Sequence, residues 1–505
     1  MKRREFLAAL AAPVVAAPAI IGLSPKSPRR IAGGFVDDGG ALGHRLRDRV
    51  AMPAPREMRR VPIVIVGGGM AGLCAAWELD RRGMHDFVLL ELETSAGGNS
   101  RWSENDITAY PWAAHYVPVP SVKATLVREL FEEFGALRNG VWEERNLCFT
   151  PQERIFLHGE WHEGVDPTYA LGRAERDQFR RFEDLIAAFR ASGEFTIPMS
   201  DGVKRASVLD RLSMAEWMRT QRLDGPAIRW LADYACRDDY GAVSEQTSAW
   251  AGVHYFASRA QEEQGPLTWP EGNGWIAQRL ITKLKRHIET SAPVYRIERT
   301  RAGWRVLTPR TAFVAEHVIF AAPTFLVSHL VADVAPLRVP LTYSPWLTAN
   351  LTLERWPKER GRGVPPAWDN VIYDSPALGY VVATHQSLRT REERTVWTYY
   401  WSLSELSPVK ARRLLHARSW HDWTELILND LARAHPDIHE CVSRVDIMRM
   451  GHAMVRPTVG FLSATVDAAK PALPGLHLAN SDLSGLSLFE EAQYRGVSAA
   501  RKVMR

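Results

Sequence analysis

An α/β fold built around a Rossmann-like dinucleotide-binding sheet is predicted by three features of Val61 to Arg101: a β-branched run stopped by glycines, a patterned helix directly after it, and a second apolar run ending on a carboxylate. Ile63, Val64, Ile65 and Val66 suit a strand covered on both faces of a parallel sheet. Gly67, Gly69 and Gly72 fit GxGxxG, in which the first glycine permits the tight turn, the second lets backbone approach a pyrophosphate, and the third allows close helix packing. Leu73, Ala76, Trp77 and Leu79 recur at helical spacing, and Gly83 supplies the positive φ expected past the helix end. The first helical turn, Met70 and Ala71 included, aims its amides and dipole at the pyrophosphate. Phe87 to Leu90 then ends at Glu91, whose carboxylate suits the hydroxyls of an adenosine ribose and repels a 2′-phosphate. A plain glycine turn is the bland alternative, which strand, helix and acid together disfavour. FAD and NAD are both compatible with these residues.

At 505 residues the chain can hold two domains with large cores, and 46% apolar with 24% charged is ordinary for a globular protein. The net charge of +5 is spread without a long basic block, which argues against a nucleic-acid partner. Residues 1–23 read as a signal peptide: Arg3 and Arg4 before Glu5, Phe6 and Leu7 resemble the twin-arginine export motif, and Ala17-Pro18-Ala19 offers a cleavage site. Periplasmic delivery by the twin-arginine machinery is expected, or attachment to the inner membrane if the signal stays uncleaved. Ser24 to Met58, rich in Pro, Gly and Arg, reads as a linker or arm. Cys74, Cys148, Cys236 and Cys441 show neither CxxC nor metal-ligand spacing and are expected to be packing residues, with no metal site.

Farther along, Ser121 to Gly135, Arg173 to Ala191 and Ser213 to Tyr234 carry helical patterns, the last broken at Gly225-Pro226. Asp238 and Asp239 either face a cavity, where they attract a cation, or sit as solvated turn residues. Val396 to Trp401, VWTYYW, alternates as a strand whose Tyr399 and Trp401 are candidates for a substrate cage, with core packing as the competing reading. Arg412 to His435 reads as one long helix ended by Pro436.

The continuation ELETSAGGNSR resembles the extended fingerprint of the flavin amine oxidase superfamily, which includes phytoene-desaturase-like and protoporphyrinogen-oxidase-like enzymes. The glycine doublet is Gly97 and Gly98; Asn99 stands where an arginine is usual, and Arg101 follows two residues later. The resemblance implies FAD, held noncovalently, because no cysteine lies in Pro471 to Arg505, where some relatives carry a covalent link. It implies that ITAYPWAAHYVPVPS passes close to the flavin, which makes His115 a pocket candidate beside the commoner role of a hydrogen-bonded structural histidine. It places Val294 near adenine, and TWPEGNGWIAQRLITKL where the chain returns to the flavin domain. The terminal stretch LHLANSDLSGLSLFEEAQYRGVSAARKVM is similar to the superfamily's last flavin element. There Asp482 matches the acid near phosphate and ribityl chain, and Asn480 stands near a position more often glycine. Glu490, Glu491 and Ala492 follow EGA with Glu491 replacing its glycine, on a helix whose first amides stabilise charge at flavin O2. Amine oxidases of the superfamily commonly place a lysine on the strand within Leu341 to Trp356; none occurs here, and the approximate match is Asn350. That departure favours a dehydrogenase using a quinone or other acceptor over an oxidase.

By this resemblance the FAD domain comprises 59–125, 265–340 and 441–505, and a discontinuous α+β substrate domain comprises a mostly helical 126–264 together with 341–440. The expected function is exported, FAD-dependent oxidation of a small amine by hydride transfer to flavin N5, which requires no side-chain nucleophile. Two alternatives stand beside it: a desaturase or isomerase of a lipid-like polyene, and an exported flavin-binding partner without turnover, suggested by Asn99, Asn350, Asn480 and Glu491.

Overall fold

A computed structural model describes residues 30–36, 40–48, 50–169, 171–199, 207–259, 265–332, 341–389, 393–468 and 473–505. The twin-arginine segment lies outside the described residues.

The organising sheet is parallel, with five strands in the order Ile288–Glu289, Phe87–Leu90, Ile63–Val66, His317–Phe320 and Leu476–Leu478. Its central strand is buried throughout because both faces are covered. Ile63, Ile65, Leu89 and Ile319 face the helices Met70–Arg81 and Phe489–Val503. Their alternates Val64, Val66, Val88, Val318 and Phe320 face a small sheet made of Arg296–Thr300, Gly303–Leu307, Thr311–Ala315 and Glu57–Arg60. Helix Met70–Arg81 stops at Arg82, and Gly83 takes φ 81°, as its sequence predicts. The last helix crosses it closely at Gly496, where a Cβ would stand 2.1 Å from the Ala71 carbonyl oxygen.

The second lobe is an eight-stranded mixed sheet in the order Ala32–Phe35, Val442–Arg456, Thr342–Leu353, Thr395–Trp401, Gly379–Val382, Asp369–Ile372, Glu153–Leu157 and Glu160–Glu163. Helices Pro408–Ala417 and Trp420–Leu431 cover one face through Leu415, Trp423 and Ile427. Toward the other lie a small cavity and a helical unit of Arg173–Ser192, Met214–Thr220, Pro226–Tyr240 and Ala249–Ala257. All four cysteines are buried and free. Among the described residues no helix is long and apolar enough to cross a membrane.

Four boundaries differ from the sequence reading. Within the expected linker, Ala32–Phe35 pairs with Arg444 to Ile447, Gly40–Arg47 is a helix, and Glu57–Arg60 pairs with Thr311 to Val314. Strands of four residues are too short to show a period, and position 33 takes only glycine, since the Val445 carbonyl oxygen lies 1.9 Å from where a Cβ would stand. The mostly helical segment expected at 126–264 also contributes Glu153–Leu157 and Glu160–Glu163 to the large sheet, while its Val127, Leu130 and Phe131 pack into the dinucleotide core and not into the second lobe. Val442–Arg456 belongs to the second lobe, since it pairs along its length with Thr342–Leu353. The long helix is two, because Ser419 accepts from the Asp422 amide and starts a new helix with a capping box.

Candidate active site

A cavity of about 400 Å³ opens beyond the carboxyl ends of Ile63–Val66 and Phe87–Leu90, the edge at which open α/β sheets bind ligands. Gly67, at φ 106°, turns the chain out of the strand, and Gly72 lets the helix sit against it: a Cβ on Gly72 would lie 1.9 Å from the Gly67 carbonyl oxygen. Gly69 differs, since a Cβ there meets nothing nearer than Gly98 Cα at 4.0 Å and would project into open space. Gly97 and Gly98, at φ 129° and 57°, fold a second glycine loop against the first, with the Gly97 amide donating to the Gly68 carbonyl at 2.8 Å. The first amides of helix Met70–Arg81 have no carbonyl one turn earlier to bond and face this gap, together with Met70 and Ala71.

Glu91 lines the same cavity and is fixed from behind, its two carboxylate oxygens accepting from the Gly68 amide at 2.7 Å and the Glu93 amide at 2.9 Å. Val294 lies beside it. At the other end Asn480, Asp482, Leu488, Phe489 and Ala492 line the wall, with Asp482 held by the Thr324 amide and the Tyr343 hydroxyl, both at 2.8 Å. The unfilled space above Gly69, the acid at Glu91 and two converging helix N-termini fit FAD: ribose at Glu91, pyrophosphate between the glycine loops, ring system toward Leu488 to Ala492. Glu91→Gln is accordingly expected to weaken FAD binding by about 1–3 kcal/mol, measured by titrating apoprotein with FAD; an unchanged affinity would remove Glu91 from the site.

The sequence departures have local explanations. Asn99 donates from Nδ2 to the Ala453 carbonyl at 2.8 Å, tying the glycine loop to the second lobe. Arg101 lines the cofactor cavity and donates to the Gly98 carbonyl at 3.2 Å, so the cation is supplied two residues later than usual. Two terminal residues expected at the cofactor are corrected. Glu491 lines neither cavity; fully buried, it turns to the helical unit and accepts the Met199 amide. Glu490 lines a second cavity instead of the first.

That second cavity, about 140 Å³, meets the first through shared walls of Asn99, Ala114, Ala453, Ser487, Leu488 and Phe489. His115 reaches it, with Nδ1 3.0 Å from the Ala113 carbonyl and its ring 5.0 Å from that of Tyr400. Burial lowers its pKa to about 4, so the imidazole is neutral. Asp238 and Asp239 both face the cavity, which decides between their two readings. Asp239 pairs with Arg259 at 2.5 Å. Asp238 is pushed up to about 8 by burial and then by the Asp239 charge, and burial raises Glu490 to about 7.

Three pocket candidates are not in the pocket. Asn350 donates to the Pro111 carbonyl at 3.0 Å and accepts the Thr398 hydroxyl at 2.7 Å, lining neither cavity. It shares a face with Trp346 and Thr348, the residues of that strand which do reach the second cavity. Tyr399 and Trp401 point to the opposite face, Tyr399 donating to Asp430 at 3.1 Å and Trp401 packing edge-on against Trp423 at 5.7 Å. Tyr400, between them, faces the cavity and donates to Asp369 at 2.9 Å. Tyr399→Phe should therefore cost about 1 kcal/mol of stability and leave substrate KM unchanged, whereas Tyr400→Phe should shift KM. Among the described residues no lysine lines either cavity.

Residues 70–504 match the model of a family described as flavin containing amine oxidoreductase. The chain belongs to this family. The family is one of flavin-containing oxidoreductases, and the chain shares the α/β fold of solved structures. Solved structures with the same fold include a double mutant of putrescine oxidase, with TM-score 0.67, 17% identity, 88% of this chain and 99% of that one covered. Cyclohexylamine oxidase from Brevibacterium oxydans gives 0.65 at 13% identity, covering 88% and 98%. A CLA-producing fatty acid isomerase from P. acnes gives 0.63 at 13% identity, again covering 88% and 98%. At these identities the likeness concerns the fold alone. Among curated proteins, ketocytochalasin monooxygenase of Aspergillus clavatus is 32% identical over 112 residues, 22% of this chain and 15% of that protein. A Baeyer–Villiger monooxygenase of Penicillium patulum is 37% identical over 116 residues, 23% of this chain and 17% of that protein. The oxidoreductase thus matches only a small part of these curated relatives' length.

Proposed function

We propose that the oxidoreductase oxidises a small amine held in the second cavity, with noncovalently bound FAD taking the hydride. The observation that carries this reading is the joining of a small acidic and aromatic cavity to the cofactor cradle through Asn99, Ala114 and Leu488. FAD, when bound, supplies a two-electron acceptor at N5. The chain's own residues select and orient. Asp238 and Glu490 favour a cationic ligand, while Trp346, Met450 and Met454 wall the space with apolar surface that excludes water. As hydride leaves the α-carbon the nitrogen lone pair forms an iminium, so neutral His115 has no obligatory proton to move.

The polyene reading draws on the absence of a lining lysine among the described residues and on the fold shared with the fatty acid isomerase. A cavity of about 140 Å³ in which three acids meet one guanidinium among the described lining residues favours the amine. Asn99 and Glu491 hold local structure, so neither counts as a sign of lost turnover. The test supplies putrescine, cyclohexylamine and linoleic acid separately, with a soluble quinone as acceptor. Ammonia release coupled to quinone reduction with an amine supports the reading; conversion of linoleic acid alone overturns it. Quinone is expected to reoxidise the enzyme faster than oxygen does, and denaturation should release FAD from the chain.

Export by the twin-arginine route to the periplasm belongs to the same proposal, supported by Arg3 and Arg4 and by the need to capture FAD in a folded site. The double change Arg3→Lys with Arg4→Lys is expected to hold the protein in the cytoplasm, read by fractionation; periplasmic arrival would point to another route.

A further inference from the structure

Two acceptors in the second cavity lack a donor. Glu490 is 2% exposed, and its Oε1 has no hydrogen-bond partner among the described residues; Asn273, also 2% exposed, leaves Oδ1 in the same condition. Both side chains line the cavity. Buried acceptors are ordinarily satisfied, and two unsatisfied ones on one small space call for a ligand that brings N–H or O–H groups.

The charges lean the same way. Asp238, Asp239 and Glu490 surround the cavity; Arg259, the one guanidinium among the described residues lining it, pairs with Asp239 and is felt by Asp238 and Glu490, while Arg237 behind the wall favours the Asp238 charge and buried Glu153 opposes it. His115 is neutral, Tyr116 and Tyr400 hold their protons because burial raises them, and Glu491, next along the helix, adds only negative charge. The cavity is therefore short of a cation, and the form of that cation is set by the unsatisfied acceptors: it must donate hydrogen bonds.

We propose that Glu490, Asp238 and Asn273 form an ammonium pole, in which Glu490 accepts an N–H of a protonated amine and takes its proton before oxidation. This rests on the amine reading. The amine N–H bond breaks and a Glu490 O–H bond forms, so R–NH3+ and carboxylate become R–NH2 and carboxylic acid, and no other reactant is consumed. The neutral amine is the species whose lone pair can assist hydride loss. Glu490 is suited to the exchange by position, because it directly follows Phe489, which walls both cavities. With its own pKa raised to about 7 by burial, and Asp238 at about 8, the empty pole is partly protonated near neutrality. A cation binds the ionised form, so binding strengthens as pH rises through this range.

The test uses tert-butylamine, which has no hydrogen on its α-carbon and so binds without being oxidised, and tert-butanol, of the same shape without charge. Calorimetry on the FAD-loaded enzyme is run from about pH 6 to about pH 9 in buffers of different ionisation enthalpy. The amine is expected to bind at least about 100-fold more tightly than the alcohol at the upper end, to weaken by up to about tenfold per pH unit below the pole's pKa, and there to release protons on binding. Glu490→Gln should remove the part of that pH dependence that falls around pH 7, leaving the part due to Asp238, and weaken the amine about tenfold or more, with FAD content unchanged. If that variant does not fold, the wild-type pH series decides alone. Equal affinity for alcohol and amine, or pH-flat amine binding, overturns the pole. Amines that reduce the flavin alongside pH-flat binding would sink the pole and spare the amine reading; failure of every amine as substrate would sink that reading instead.

Discussion

Gly69→Trp should yield a folded but colourless protein, with FAD affinity reduced at least about 100-fold, roughly 2.8 kcal/mol. The reason lies in what surrounds this glycine. Its φ of −71° with extended ψ is open to any residue, so the backbone is not strained by a side chain. Its Cβ direction is empty up to Gly98 Cα at 4.0 Å, so an indole fills the pyrophosphate approach without displacing core atoms. Gly69→Ala, by contrast, should keep both fold and most flavin. The check is FAD stoichiometry from the visible spectrum beside far-ultraviolet circular dichroism; a Trp variant with full flavin would place the cofactor elsewhere.

Gly72→Ala should do the reverse and damage the fold itself, costing about 3 kcal/mol, at the upper end for overpacking. The added methyl would stand 1.9 Å from the Gly67 carbonyl oxygen and 3.4 Å from Ala321 Cβ. The first of these neighbours is backbone. Gly67 cannot retreat easily, because it already holds φ 106° against Ala322. Helix Met70–Arg81 would have to lift from the central strand, taking the contact at Gly496 with it. Denaturant midpoints of the apoprotein measure this; an unchanged midpoint would contradict the packing described for the turn.

The dinucleotide lobe was legible because its signals are local. A four-residue apolar strand, the glycines Gly67, Gly69 and Gly72 and the acid Glu91 all fall within Ile63 to Glu91, and the structure brings Gly67, Gly69 and Glu91 to one cavity wall. The second lobe was less so. In VWTYYW each face carries an aromatic, Trp397, Tyr399 and Trp401 on one and Tyr400 on the other, so alternation cannot say which faces the cavity; the covering helices Pro408–Ala417 and Trp420–Leu431 decide it. Asn350 shares a face with Trp346, but the strand Ala109–Pro111, far away in sequence, covers it and takes its amide at the Pro111 carbonyl. Glu491 looked like a disturbance of the flavin helix because its partner, the Met199 amide, is 292 residues away in sequence. The edge strand Ala32–Phe35 was hidden for the same reason, its partner lying beyond Val442.

The central claim is that the second cavity delivers an amine to the cofactor held above Gly69. Anaerobic mixing of the FAD-loaded enzyme with cyclohexylamine or putrescine, followed through the visible flavin band, tests it in one turnover without choosing an electron acceptor. Bleaching that saturates with amine concentration, and is slowed by tert-butylamine as a competitor, is the result predicted. A band that stays fully oxidised with the amines but bleaches with a fatty acid or another uncharged donor would contradict it.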